Sequence, residues 1–318
     1  MHPTIFVSIA AMDDTEIVPT VLNALNSAKY PERIRVGVGI AALKDSEYKQ
    51  LVKLKDARIR CSFTKIKKNT FDELGVGKGR IRAEVLYNNE DYFLQVDCHT
   101  HFAQDWDQFM IDLHTEAKVA ANSDKVVMTN YIGLYKYQPE RKPVANMERT
   151  AYPFFMPGNM WLEAVPRWAD FPLGKDKTDK FYPSVKFNGA CAFGDRQFAK
   201  NTGSSPDLMF YDEEIVYSVE LYDMGFSLVF PNVEWFPITH LNGSDRNSFG
   251  GSRLFVTDYL KPSLKKEFDE RLTANYRKYL SDPKNKDKIR KYEKYSKISL
   301  KHGAVINQYI PKEYRVDD

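Results

Sequence analysis

The chain has 318 residues, 43% hydrophobic and 14% aromatic, enough to bury one large core or two modest ones. Its formal net charge of +3 is too small to imply a polyanionic partner for the chain as a whole. The opening MHPTIFVSIAAMDD has an apolar stretch but no basic flank, and Asp13 and Asp14 follow at once; this argues against a signal peptide or membrane span and for a cytoplasmic protein.

TIFVSIA reads as a strand of β-branched and aromatic residues, and the Asp-Asp-Thr after it starts a helix over TEIVPTVLNALNSA with Ile17, Val21, Leu25 and Ala28 on one face. IRVGVGI is a second strand. ARIRCSFTKI, alternating Ile59, Cys61 and Phe63, is a third, and YFLQVD is a fourth after a helical IRAEVLYN. Such alternation predicts a mostly parallel sheet with helices on both faces, whose ligands sit beyond the carboxyl ends of the strands. Asp97 stands at one such end. WDQFMIDLHTEAKVA is helical and carries His114. Residues 136–187, rich in Pro, Tyr, Trp and Lys, read as long loops and short strands over a site. NGACAFG is then a short buried strand, YDEEIVYSVELYDMGF a helix ending at Gly225, and SLVFPNVEWFPITH strands that return His240 to the core.

The last third turns into Lys/Tyr-rich helices broken at Pro262 and Pro283. Residues 261–301 hold fourteen Lys and Arg against six Asp and Glu, a local net of +8 that leaves the remainder near −5. Tyr276, Tyr279, Tyr292 and Tyr295 lie among those cations. The pattern suits phosphate contact plus base stacking, and equally a solvated helical face. Three cysteines, Cys61, Cys98 and Cys191, form no CxxC pair, so they are expected as reduced packing residues. GVGKG (75–79) is not a P-loop: no Ser or Thr follows the lysine and the outer glycine spacing is wrong. Trp161, Trp168 and Trp235 suit a core as well as a stacking surface.

The densest chemistry lies in QVDCHTHF (95–102), where Asp97, His99 and His101 fall within five positions. A barrel metallohydrolase would carry such a cluster on its first strand, with further histidines and an Asp on later strands. Here about 95 residues of alternating strand and helix precede it, and only His114, His240 and His302 follow, two of them in a helix and in the basic tail. A sugar transferase asks for less: an Asp-x-His at a strand tip and one later ligand, with a diphosphate supplying the other oxygens. Asp97, His99 and His240 fit that set, and carboxylate plus imidazole suits Mn²⁺ or Mg²⁺. Residues two apart on an extended strand project to the same side, so Asp97 and His99 reach one ion.

Together FVSIAAMDDTEIVPTVLNALNSAKYPERIRVGV, YNNEDYFLQVDCHTHFAQDWD, NGACAFG, YDEEIVYSVELYDMGF and His240 resemble the cytoplasmic protein-hydroxyproline N-acetylglucosaminyltransferase family over residues 4 to 245. The resemblance implies a GT-A fold, a Rossmann-like mixed sheet flanked by helices, with a glycosyltransferase domain over 1–250 and a basic helical extension over 251–318. It implies a metal-dependent, retaining transfer from a nucleoside-diphosphate sugar, a UDP-sugar first. Asp97, His99 and His240 are then the metal ligands. Gly75 and Arg80, together with Asn188 and Gly189 of NGACAFG, fall to the nucleotide sugar, and Glu213 and Glu214 match the family's acidic pair. His101 departs from the family, which carries an Arg or similar residue there; NGACAFG replaces a more aromatic block, and the Tyr-rich tail has no counterpart. Similar chains occur among bacteriophages, where sugars are attached to hydroxymethylated DNA bases. The acceptor is therefore expected to be hydroxymethylcytosine in DNA, towards which the basic tail leans, or hydroxyproline in a protein.

Asp13 and Asp14, after the first strand, are placed to meet the base or ribose, with helix capping the competing role. Asp212, Glu213 and Glu214 open a helix, where its dipole favours them whatever their function; as candidate catalytic acids, one would accept a hydrogen bond from the acceptor hydroxyl or the sugar. Arg80 would add fixed positive charge at the leaving diphosphate.

Overall fold

The computed structural model of the protein describes residues 2–71, 73–130, 132–137, 143–145, 151–156, 167–172, 179–202, 204–210, 212–233, 235–241, 261–296, 298–300 and 304–305. The first half alternates strand and helix: β1 (Ile5–Met12), α1 (Ile17–Asn26), β2 (Ile34–Ala42), α2 (Ser46–Lys53), β3 (Ile59–Lys65), α3 (Val76–Glu84) and β4 (Tyr92–Asp97). There follow β5 (Thr100–Phe102), α4 (Trp106–Ala121) and β6 (Val126–Thr129), then the short strands β7 (Leu134–Tyr137), β8 (Pro143–Ala145), β9 (Ala151–Met156), β10 (Arg167–Pro172) and β11 (Phe181–Pro183). The remainder is β12 (Cys191–Asp195), α5 (Arg196–Ala199), α6 (Asp212–Asp223), β13 (Ser227–Pro231), β14 (Ile238–Leu241), α7 (Pro262–Ser281), α8 (Lys286–Ser296), β15 (Ile298–Ser299) and β16 (Ala304–Val305).

Eight strands form the main sheet in the order β11-β13-β6-β12-β4-β1-β2-β3. β1 to β4 are mutually parallel, while β12 runs antiparallel to both β4 and β6. The chain steps outward from β1 to β2 and β3, then returns to place β4 on the other side of β1. This reversal opens a crevice at the carboxyl ends of the strands, as in other open α/β sheets.

The period-2 pattern of β1 sorts its side chains. Ile5, Val7, Ile9 and Ala11 join the core under α1 and α4, while Phe6 joins Phe93, Phe187, Phe198 and Leu221 on the opposite face. Ile17, Val21 and Leu25 of α1 are buried as the sequence pattern requires; Pro19 is accommodated in the first turn, where no intrahelical donor is lost. α3 begins at Val76, five residues ahead of the helix expected at IRAEVLYN, because the GVGKG glycines continue into it. Gly75 takes φ +114°, and a side chain on Gly77 would meet the Ser205 carbonyl oxygen at 2.0 Å. Those glycines therefore serve close packing against residues 205–209, with Val76 N donating to Met209 O at 3.0 Å.

The basic tail is a packed element. Phe268, Leu272, Tyr276, Tyr292 and Leu300 form one buried cluster with Leu74, Met209, Ile215 and Val219, so α7 and α8 lie against α6. Tyr276 donates to Leu300 O at 2.9 Å, Tyr279 to Glu220 at 2.8 Å, and Tyr292 to Val185 O. The base-stacking reading of these tyrosines is thereby corrected: Tyr276 and Tyr292 are buried, Tyr279 is bonded to α6, and Tyr295 stacks on Tyr222. The cations point outward from this packed face: Lys266, Lys278, Arg290 and Lys291 are exposed. Among the described residues no helix is long and apolar enough to cross a membrane.

Candidate functional site

Asp97 is the last residue of β4, and the chain turns directly into β5, which pairs antiparallel with β14 so that His240 lies opposite Thr100. Leu241 N donates to His99 O at 3.0 Å and locks that register. The pairing brings together three side chains separated by up to 143 positions. His99 Nε2 and His240 Nε2 stand 2.8 Å apart, His240 Nε2 and Asp97 Oδ2 3.2 Å, and His99 Nε2 and Asp97 Oδ2 3.8 Å. The imidazoles meet at 87°, each aiming a ring nitrogen at the same point.

This arrangement fits a divalent cation. Ligands about 2.1 Å from an ion and at right angles to one another stand about 3.0 Å apart. The first two separations are close to that edge and the third is wider. Asp14, buried at the end of β1, fixes the chemistry further: its Oδ2 accepts from His99 Nδ1 at 3.1 Å, which leaves Nε2 with its lone pair for the ion. Burial works against the charge of Asp97, but the neighbouring His240 and His99 imidazoles and the Arg80 guanidinium hold its carboxyl well below the usual carboxylate range.

Arg80 sits directly behind this cluster. It is buried, with Nε donating to Glu213 Oε1 at 3.0 Å, one terminal nitrogen donating to Gly189 O at 2.9 Å, and the same nitrogen 3.5 Å from Asp97 Oδ1. Burial disfavours its cation, yet Glu213 and Asp97 more than compensate and keep it protonated. The guanidinium thus braces the metal cluster against α6. Glu213 is pushed up to about 7, chiefly by burial and further by Glu214, with Arg80 acting in the opposite sense. Asp212 is pushed up to about 6 by burial although it accepts from the backbone of Phe210 and Met209. Glu214 accepts from Gly189 N at 3.0 Å and pairs with the buried Lys186 at 3.0 Å. The three acids therefore have three environments: Asp212 holds the backbone of Met209 and Phe210 that leads into α6, Glu213 faces Arg80, and Glu214 holds the Asn188–Gly189 turn. The Asn188 backbone donates to Thr129 Oγ1 at 2.6 Å, and Gly189 O also accepts from Gln95 at 3.1 Å.

A cleft of about 130 Å³ opens on the other side of the metal cluster, lined by Ala10 and Met12 of β1, Ala41 of β2, Gly75 just before α3, Gly79 within it, and His99. Asp14 and Gly75 border this cleft. Asp13 lies beside it with φ +46°, its backbone donating to Ala41 O at 3.0 Å. Asp14 Oδ1 also accepts from Glu16 N at 2.9 Å, an Asx turn ahead of α1, so one carboxylate serves both that turn and His99.

Other sequence candidates fall outside the cluster. His114 is buried in α4, bonded to Val126 O at 3.0 Å, with burial pushing its pKa down. His101 pairs across the strands with Thr239 and is likewise lowered by burial. Trp235 packs edge-on against Phe109 at 5.0 Å. Trp161 and His302 lie outside the described residues, as does the side chain of Trp168. Sequence reasoning missed Lys186, whose only signal is a lysine in the otherwise apolar stretch before NGACAFG, and Asn130 at the end of β6, which has no local signal.

The sequence model of the glycosyltransferase (GlcNAc) family matches residues 39–236. No curated protein matches the chain. Among solved structures, the chain is similar to GalNAc-T7 crystallised with UDP, GalNAc and Mn²⁺, at 14% identity and a TM-score of 0.54, over 92% of this chain and 55% of that one. It spans about half the length of that protein, and the likeness identifies the fold as GT-A.

Proposed function

Because the chain belongs to the glycosyltransferase (GlcNAc) family, we propose that it transfers a sugar from a nucleoside diphosphate, UDP first, to a hydroxyl group of a macromolecule. The observation that carries this reading is the convergence of Asp97, His99 and His240, the second of which also lines the cleft at β1 and β2. Those three side chains would hold Mn²⁺ or Mg²⁺, and the bound ion supplies Lewis acidity towards the departing diphosphate.

The chain's own residues account for the rest. Asp14 holds the His99 tautomer; the cleft, with Asp14 and Gly75 at its border, receives the nucleoside. Arg80 keeps positive charge beside Asp97, and Glu213 and Glu214, through Arg80 and Gly189, hold the turn that faces the sugar. As the anomeric carbon leaves the phosphate oxygen, the acceptor oxygen attacks from the same face, and its proton passes to that phosphate oxygen. Such a retaining transfer requires no separate base.

For the acceptor we propose the hydroxymethyl group of modified cytosine in DNA, with protein hydroxyproline as the alternative. The outward cations of α7 and α8 support the first. The test is a donor screen: full-length protein, Mn²⁺ and a panel of nucleotide sugars, with free nucleoside diphosphate measured alone, with hydroxymethylcytosine DNA and with a hydroxyproline peptide. Turnover of one donor that rises with the DNA is the expected result. A rise with the peptide alone moves the acceptor to protein, and no turnover of any donor overturns the reading.

A further inference from the structure

Asn130 directly follows β6 and is 1% exposed, yet among the described residues neither the oxygen nor the nitrogen of its side chain has a hydrogen-bond partner. The neighbouring turn repeats this condition: among the described residues Asn188 Nδ2 is also buried without a partner, on a residue 1% exposed. Buried amides and hydroxyls are nearly always bonded, so unpartnered ones beside a ligand site mark where a polar ligand completes the bonding.

Topology places these groups relative to the cleft. β12 is antiparallel to β4 and to β6, so Asn130 at the end of β6 lies on the same sheet edge as Asp97 at the end of β4. The backbone ties them: Asn130 N donates to Cys191 O at 3.0 Å, and Asn188 N to Thr129 Oγ1 at 2.6 Å. Adjacent strands stand about 4.8 Å apart, which sets the end of β6 about 10 Å from that of β4. The cleft lies on the opposite flank, at β1 and β2. A nucleotide sugar whose nucleoside fills the cleft and whose diphosphate lies at Asp97 and His99 therefore extends its sugar ring towards β12 and β6.

We propose that Asn130, with Asn188, forms the wall of the donor subsite that reads the hydroxyl or acetamido groups of a neutral hexose, and that Asn130 selects which sugar is transferred. The proposal rests on the glycosyltransferase reading above. A neutral amide that both donates and accepts matches a sugar hydroxyl, which does the same. A site built to bond a hydroxyl discriminates strongly against the sugar that lacks or misplaces it.

The test measures, by calorimetry with the full chain and Mn²⁺, the affinities of UDP, UDP-N-acetylglucosamine, UDP-N-acetylgalactosamine, UDP-glucose and UDP-galactose. Asn130→Leu, close in size but apolar, is compared with the native protein. The expected result is a native preference for one sugar that Asn130→Leu reduces by about tenfold, with UDP affinity unchanged. An unaltered preference overturns the proposal and leaves the glycosyltransferase reading standing. Failure of the native protein to bind any of the five ligands overturns both. Should Asn130→Leu also lose UDP, the smaller Asn130→Ser carries the same comparison, and loss of UDP in both variants makes Asn130 a folding residue and overturns the proposal.

Discussion

Arg80 and Glu213, 133 positions apart, meet through a hydrogen-bonded ion pair of 3.0 Å in which both side chains are almost wholly buried. The same guanidinium reaches Asp97, so α3, β4 and α6 are tied together behind the metal ligands. Removing one member of a buried pair strands the other charge. Arg80→Met should therefore destabilise the protein by about 3–5 kcal/mol, and Arg80→Met with Glu213→Gln should recover part of that loss. Urea unfolding of both single variants and the double variant checks it; single losses that simply add in the double variant would mean that the two side chains are not coupled.

The metal cluster gives a direct prediction. Asp97→Ala and His240→Ala should each abolish Mn²⁺ binding by calorimetry and reduce donor turnover to background, while the far-ultraviolet circular dichroism stays native. Retained Mn²⁺ affinity in either variant would remove that residue from the ligand set.

Asp14 touches the proposed ion only through His99. Asp14→Asn should weaken Mn²⁺ binding by about 10- to 100-fold, the usual effect of losing a carboxylate behind a ligating histidine. The amide oxygen can still accept from Glu16 N, so the melting temperature should change little. A large loss of stability with unchanged Mn²⁺ affinity would assign Asp14 to the turn ahead of α1 alone.

Asp212 and Glu213 make stability pH-dependent in a defined direction. Burial raises Asp212 from 3.8 to about 6 and Glu213 from 4.5 to about 7. Across those intervals the folded state binds protons that the unfolded state has released. Their contribution is therefore fully present below pH 3.8 and is lost as pH rises through about 6 to 7. Asp97, with its lowered value, acts oppositely at acid pH, so the contribution is read from a difference. Asp212→Asn, which keeps the acceptor for Met209 and Phe210, should gain in stability relative to the native protein as pH is raised from 4 to about 7. A pH-independent difference in urea midpoint would count against the raised value.

The α7–α8 tail contributes to the core beneath α6. Leu272, 1% exposed in that cluster, should cost about 2–5 kcal/mol when replaced by Ala. Charge reversal of the exposed Lys266 and Lys278 should leave stability unchanged and lower affinity for DNA, with a shallower salt dependence. If DNA affinity is unaffected, the acceptor reading moves to protein.

The sequence by itself determined strands β1 to β4 and helices α1 and α4, and it singled out Asp97, His99 and His240, which the fold brings together. β-branched alternation in β1 and β4, the helical spacing of Ile17, Val21 and Leu25, and an Asp-x-His at a strand end are local patterns, legible without knowing what packs against them. Whatever depends on distant partners was decided only by tertiary structure. Tyr276 and Tyr292 sit at spacings that serve a base-stacking surface or a buried helix face equally well, and docking on α6 selects the second. Asp14 lies in a turn where either a nucleotide contact or a helix cap is expected, and the pairing of β4 with β1 brings its carboxylate beside His99. Asn130 carries no signal in its own neighbourhood. The antiparallel insertion of β12 between β4 and β6 alone brings its unpaired amide to the edge where Asp97 ends, because hydrogen-bond partners across a sheet are set by strand order and not by nearness along the chain.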